Sequence, residues 1–514
     1  MLVARDTASL AKRLVPPMPQ SSGWVSALLV TAIGALLRLW NLGQPHDVIF
    51  DETYYPKDAL ALLRFGVEQA TVADANKILL SSDGNWHTVD IFNGSAAFIV
   101  HPPLGKWIIA LGEYTVGATP TGWRIAVALI GIISVLLTAR IARRLTRSNL
   151  VGLLAGLFVA LDGMHIVMSR TGLLDIILGF FVLIAFGCLL MDRDQVRSRL
   201  ARLIGEEGLQ ATASTWGPRL GRRPWRWAAA FALGLGCGVK WSGIWFAVAF
   251  MAMSLVWDIS ARRAVGVERP WRATLVRGLP VTALVTGSIM VATYLLTWTG
   301  WFLSDLGWDR DWAGGTGILA ALSSLLHYHS EMWDFHVGLT TEHAYASNPW
   351  SWLLQARPTS FYWNNVTDGT QGCPTENCAA EVLALGNPVI WWAGILAIVY
   401  QVWRWLGKRD WRSAAVLVGI AAGWLPWMLY LNRTIFTFYT VVFMPFIAIA
   451  LAMSAAALLG PETASALRKR RGMIALLVLV GSVIAVAWWL YPVWTGQLMP
   501  YNEWQQRMWL PSWV

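Results

Sequence analysis

Charged side chains are scarce: Asp, Glu, Lys and Arg make up 14% of the 514 residues, against roughly 25% in average soluble domains. That shortage excludes a soluble globular protein and a disordered chain. Cysteine is scarcer still, with four in all, too few for a disulfide framework. No internal repeat is evident. Acids number 30 against 40 bases, for a net charge of +10. In a soluble chain that excess would point to nucleic acid. In a membrane chain it reports basic cytoplasmic loops, and no nucleic-acid partner is expected.

What is abundant supports the membrane reading. Hydrophobic residues reach 56%, with 33 Trp, a residue enriched at membrane interfaces. Apolar runs lie at 23–41, 121–139, 150–167, 173–191, 227–239, 241–257, 277–298, 388–405, 412–431, 435–458 and 473–493. Most approach the roughly 17–25 residues that span a bilayer. Basic clusters follow or precede alternate runs: Arg140 to Arg147, Arg193 to Arg226, Arg262 to Arg277, Arg404 to Arg412 and Arg468 to Arg471. Eleven spans starting inside place every cluster in the cytoplasm, as the positive-inside rule requires. The C-terminus is then external. The polar segment 1–22 reads as a cytoplasmic tail and not as a cleaved signal, because no small-residue cleavage site follows the first run.

Leu104 to Val116 is too short for a crossing and would invert the charge pattern, so an interfacial helix on the outer leaflet is expected. Gly234, Gly236 and Gly238 predict close helix packing. Residues 195–225 read as a mobile cytoplasmic loop. The expected division is a 1–22 tail, a 23–298 membrane module with a first outer loop at 42–120, a second outer loop at 299–387, and a 388–514 four-helix membrane region. The fold class is all-α.

Ionisable groups in or beside spans are costly and mark function. Arg124, Asp162, His165, Arg170, Asp175, Lys240 and Arg433 all fall at the outer face in this topology. The first outer loop adds Asp51, Glu52, Lys57, Asp58, His101 and Lys106. The sharpest motif is Phe50-Asp51-Glu52-Thr53-Tyr54-Tyr55-Pro56. A carboxylate there could serve as a general base toward a hydroxyl, or the pair could hold a divalent cation. His101-Pro102-Pro103-Leu104-Gly105-Lys106 forms a rigid turn into the interfacial helix.

An Asp-Glu pair after the first span and the His-Pro-Pro-Leu-Gly-Lys segment resemble the GT-C membrane glycosyltransferases, and more narrowly the protein O-mannosyltransferases. Further matches are Ser169-Arg170-Thr171-Gly172-Leu173-Leu174-Asp175, Gly238-Val239-Lys240-Trp241-Ser242-Gly243 and Tyr328-His329-Ser330-Glu331-Met332. His336, the segment His343 to Trp352, Gly423-Trp424-Leu425-Pro426, Arg433, Phe438-Tyr439 and Pro445 complete the ordered set. The chain resembles a bacterial, actinobacterial member, without the MIR domain that eukaryotic members carry in the second loop. That loop has room only for helical linker elements.

The resemblance implies a polyprenyl-phosphate mannose donor and Ser or Thr acceptors on exported proteins, at the outer face of the cell membrane. The expected acceptors are met near a secretion channel. It implies an inverting displacement with Asp51 as base and Glu52 as its orienting partner. Arg124 and Arg433, then Lys240, His101 and Lys106, would hold the donor phosphate, with Arg170 and Asp175 at the donor site. His329, His336, His343 and Trp352 would touch the acceptor. No cofactor is required, and no metal is expected, because neither Cys nor carboxylate completes a usual zinc pattern around His327, His329, His336 and His343. Cys373 and Cys378 lie in an oxidising compartment, where pairing and free thiols both stay open. Cys188 and Cys237 read as packing residues. A GT-C enzyme acting on a cell-wall glycan or lipid is the alternative. A transporter fits worse, since repeats and midplane charges are absent.

Overall fold

The computed structural model describes residues 10, 13–212, 214–367 and 372–514. Much of the 1–22 tail therefore lies outside the described residues. Helix starts follow capping chemistry. Thr119, Ser148, Asn387, Asp410 and Ser465 each accept a hydrogen bond from a backbone N–H one turn in.

Each of the eleven apolar runs coincides with a helix or a bent pair. They are α1 (Trp24–Leu39), α4 (Pro120–Thr146), α5 (Asn149–Ala160) with α6 (Gly163–Ser169), α7 (Asp175–Glu207), α8 (Pro224–Cys237) and α9 (Gly243–Ala264). After them come α10 (Pro270–Thr297), α12 (Pro388–Lys408), α13 (Trp411–Trp424), α14 (Met444–Leu458) and α15 (Ala466–Thr495). Outside these runs lie α2 (Tyr55–Phe65), α3 (Leu104–Val116) and α11 (Ile318–Gly338). Among the described residues, seven helices are long and apolar enough to cross a membrane, or eight if the bent pair counts as one. The expected eleven crossings therefore need α1, α8 and α14, of 16, 14 and 15 residues.

Two runs differ from uninterrupted spans. The third bends by 62° between α5 and α6. Asp162 starts a new helix there by accepting from the His165 N–H at 3.0 Å. Arg38 closes the broken end of α5 by donating to the carbonyls of Val159 and Ala160. The 435–458 run opens as a 3-10 turn, Thr437–Val442, before α14.

The core lies where α4, α5, α7 and α14 meet, and α7 is buried on nearly every side of its apolar part. By contrast, α10 and α15 present most of their apolar surface outward. The glycines of α8 behave as expected. A Cβ on Gly234 would come within 2.8 Å of Thr293 and 2.9 Å of the Met290 carbonyl, so α8 rests directly on α10.

The loops hold strands that an all-α reading did not include. β1 (Gln69–Thr71) pairs with β2 (Phe92–Ala96). In the second loop β3 (Thr359–Thr367) and β4 (Asn377–Ala384) run antiparallel, with Val366 opposite Cys378. Aromatic residues Phe361-Tyr362-Trp363 favour a strand, and Cys373 joins Cys378 in a disulfide at the hairpin end. β5 (Met499–Pro500) adds a third strand beside β4. The segment after α15 thus leaves the helical region and covers this sheet, with Trp504 donating to Glu381 at 2.7 Å.

Candidate active site

Asp51 and Glu52 sit in a 3-10 turn, Phe50–Thr53. Phe50 adopts φ 47°, a left-handed conformation that a bulky residue takes only under constraint. The constraint is aromatic: Phe361 stacks on it at 4.5 Å, and Phe436 and Phe438 meet it edge-on. That packing turns the next two carboxylates in opposite directions.

Glu52 points inward and is fully buried. Arg124 grips it with two bonds, Nε to Oε1 at 2.8 Å and Nη2 to Oε2 at 2.7 Å. The Gly172 and Ile49 amides also donate to it. Arg124 spends its remaining N–H groups on the carbonyls of Leu42, Pro45 and Asp47. No donor of Arg124 is left for a phosphate, which removes it from the expected donor-binding set. Arg170 is buried and turned toward the end of α1. It donates to the carbonyls of Arg38, Trp40 and Asn41 and so closes the end of α1.

Asp51 is only partly buried, and no donor among the described residues reaches its carboxylate. Burial pushes its pKa up to about 6, opposed by the charge of Lys240 and reinforced by that of Asp175. At neutral pH it is mostly ionised. Lys240 lies between α8 and α9 and donates to both oxygens of Asp175 at 2.9 Å. It also rests over the Tyr439 ring at 4.7 Å, which leaves its third proton for a ligand.

Lys240 stands at the polar end of a cavity of about 470 Å³. His101, His336 and Arg433 share that end; Gly234, Ile244, Trp245, Met290, Val291 and Trp333 line the apolar remainder. Arg433 donates from Nε to the His336 carbonyl at 2.9 Å and lies over Trp427. Its Nη1 has no partner among the described residues. His336 must donate from Nε2 to the Val100 carbonyl, 2.7 Å away. Burial first, then the bond to Val100 acting in opposition and the charges of Arg433 and Lys240, hold its pKa at about 4. The ring is therefore neutral, and Nδ1 can accept from Arg433. His101 is likewise held neutral, chiefly by burial. His329 donates from Nδ1 to the Leu325 carbonyl and accepts the Tyr294 hydroxyl at 2.6 Å; that oxygen accepts from Trp241 at 3.0 Å.

Three expected roles change. His329 and His336 line the cavity beside Lys240 and Arg433, not a separate acceptor surface. Lys106 is fully buried, pairs with Glu68 and donates to the His101 carbonyl, so it holds the Pro-Pro turn from beneath. Trp352 is also buried, donates to Ser347 and packs under Trp427 and Tyr439. Only His343 is exposed, against Phe50 and Phe436. Sequence reasoning missed Tyr294 and Trp427 in the lining. An apolar run containing one Tyr carries no signal for such a role.

The family model described as dolichyl-phosphate-mannose-protein mannosyltransferase matches residues 28–295. The model of the C-terminal four-helix region of protein O-mannosyltransferases matches 321–513. The polyprenol-phosphate-mannose–protein mannosyltransferase of Mycolicibacterium smegmatis is 37% identical, over 97% of this chain and 94% of its own. That of Corynebacterium glutamicum is 31% identical over 99% and 98%. Among solved structures, the Saccharomyces cerevisiae Pmt1-Pmt2 complex bound to the sugar donor superposes with TM-score 0.71 at 14% identity, over 100% of this chain and 95% of that one. The fold is that of the GT-C membrane glycosyltransferases, and the chain belongs to the protein O-mannosyltransferase family.

Proposed function

We propose that the protein transfers mannose from a polyprenyl-phosphate mannose to Ser or Thr hydroxyls of exported proteins, at the outer face of the cell membrane. The observation that carries this is an Asp51 carboxylate without a donor among the described residues, close enough to feel the charge of Lys240, which with Arg433 forms the polar end of an apolar cavity. The relatives named above supply the donor class. The apolar wall suits a prenyl tail, and the cationic end suits its phosphate.

In the reaction the acceptor hydroxyl attacks the mannosyl C1 and gives its proton to the Asp51 carboxylate. The bond from C1 to the phosphate oxygen breaks with its electron pair, which leaves polyprenyl phosphate. The Nη1 group of Arg433 and the third proton of Lys240 offset the charge that develops there. Glu52 does not touch the reactants; it is a positioning residue that ties the Asp51 turn to Arg124. The Asp175 carboxylate holds Lys240 in place.

The test is transfer of labelled mannose from the lipid donor to a Thr/Pro-rich peptide in membranes. Wild type is expected to transfer, and Asp51→Asn to lose about 10²–10⁴-fold. Label entering only a glycan or lipid fraction would overturn the protein acceptor. Equal transfer by both proteins would remove Asp51 as base.

A further inference from the structure

Away from the cavity, the second loop brings together three potential metal ligands, one histidine and two carboxylates. His327 and Glu331 are four residues apart on α11 and share one helix face. Asp309 comes from the 304–317 loop after α10, has a left-handed φ of 49° and faces His327. We propose that Asp309, His327 and Glu331 form a zinc site that staples this loop to α11.

The donor set selects the metal, and the spacing admits it after a small closing of the Glu331 side. His327 Nε2 lies 3.3 Å from Asp309 Oδ2 and 3.9 Å from Glu331 Oε1, and all three ligand atoms fall within 4.8 Å of one another. Zinc bonds of about 2.0–2.2 Å in a tetrahedron separate ligand atoms by about 3.3–3.6 Å. Magnesium takes oxygen ligands and keeps several waters, so an imidazole in the set disfavours it. One nitrogen and two oxygens suit zinc, with water in the fourth position.

The ligands are also held from behind, as metal ligands usually are. Trp308 Nε1 donates to Glu331 Oε2 at 2.9 Å, which leaves Oε1 facing His327. Trp312 stacks on the His327 ring at 4.1 Å and 9°. None of the three ligands lines the cavity, whereas His329 and His336 on the same helix do. A metal here would thus fix the backbone that carries those two residues. The loop needs fixing: Gly314, Gly315 and Gly317 all take positive φ, which makes its unbound backbone costly to order.

A protonated His327 paired with two carboxylates would give the same distances without a metal, and zinc binding separates the two cases. Full-length protein, isolated in detergent through a tag lacking histidine, is titrated with zinc chloride against a fluorescent zinc chelator. The expected result is one zinc per chain. Affinity should fall at least about tenfold in His327→Ala and Asp309→Asn and stay unchanged in His87→Ala. Zinc should also slow proteolysis within 304–317 in wild type but not in the two variants. If His327→Ala does not fold, Glu331→Gln, which keeps an oxygen for Trp308, carries the same comparison. No uptake at roughly 100 µM zinc, an affinity too weak to matter, or equal uptake by wild type and the ligand variants, overturns the proposal.

Discussion

Asp51 and Glu52 are chain neighbours in opposite surroundings, and that contrast sorts their roles. Glu52 accepts four hydrogen bonds, two from Arg124 and one each from the Ile49 and Gly172 amides; Asp51 has a raised pKa and an open carboxylate. A base must be ionised, so transfer is expected to fall as pH drops through about 6, read as the acid limb of kcat/KM. Stability should move the other way. The folded carboxyl holds its proton up to about 6, against 3.8 when unfolded, so stability from this group is present below the lower value and declines as pH rises through the upper one. Asp51→Asn should therefore melt no lower than wild type at pH 8, although it transfers little. The two arginines separate by the same reasoning. Arg124→Ala strands a buried carboxylate and should cost about 3–5 kcal/mol of stability. Arg433→Ala should fold and raise KM for the lipid donor about tenfold or more, as expected for losing a charged hydrogen bond, with KM for the peptide little changed.

At the scale of the element, the cavity depends on how closely α8 approaches α10. Gly234 has no room for a side chain against Thr293 and Met290, whereas Gly481 on α15 has no atom within 4 Å of an added Cβ. Gly234→Ala should cost about 1–3 kcal/mol through overpacking and weaken donor binding, because both helices line the cavity. Gly481→Ala should be neutral or slightly stabilising. Thermal melting in detergent checks both. The glycine pattern in α8 was legible in the sequence because close packing requires the small residue itself. The bend at Asp162 was not, since an apolar run hides a capping side chain whose partners, Asn387 and Trp391, are more than 200 residues away.

For the whole molecule, the cavity opens between helices whose outward faces are apolar, so the lipid tail should supply much of the binding energy. A water-soluble mannosyl phosphate carrying one isoprene unit should show KM raised at least about a hundredfold, since each buried methylene contributes about 0.8 kcal/mol. Transfer assays across donor chain lengths measure this.

The membrane character, the helix positions, the clustering of charge beside the spans and the Asp51-Glu52 motif were legible in the sequence. These follow from hydropathy, capping and local charge, which are properties of neighbours in the chain. Only the tertiary structure decided which charges are free. Arg124, Arg170 and Lys106 looked equivalent to Arg433 and Lys240 until their partners were in place, and Trp352 looked like a surface until Trp427 and Tyr439 covered it. Asp309 likewise gains meaning only beside His327. Hydrogen-bond partners and burial are set by segments distant in the chain: Arg124 has every donor taken, and Arg170 and Lys106 are buried against backbone carbonyls and Glu68, outside the cavity lining that holds Lys240 and Arg433.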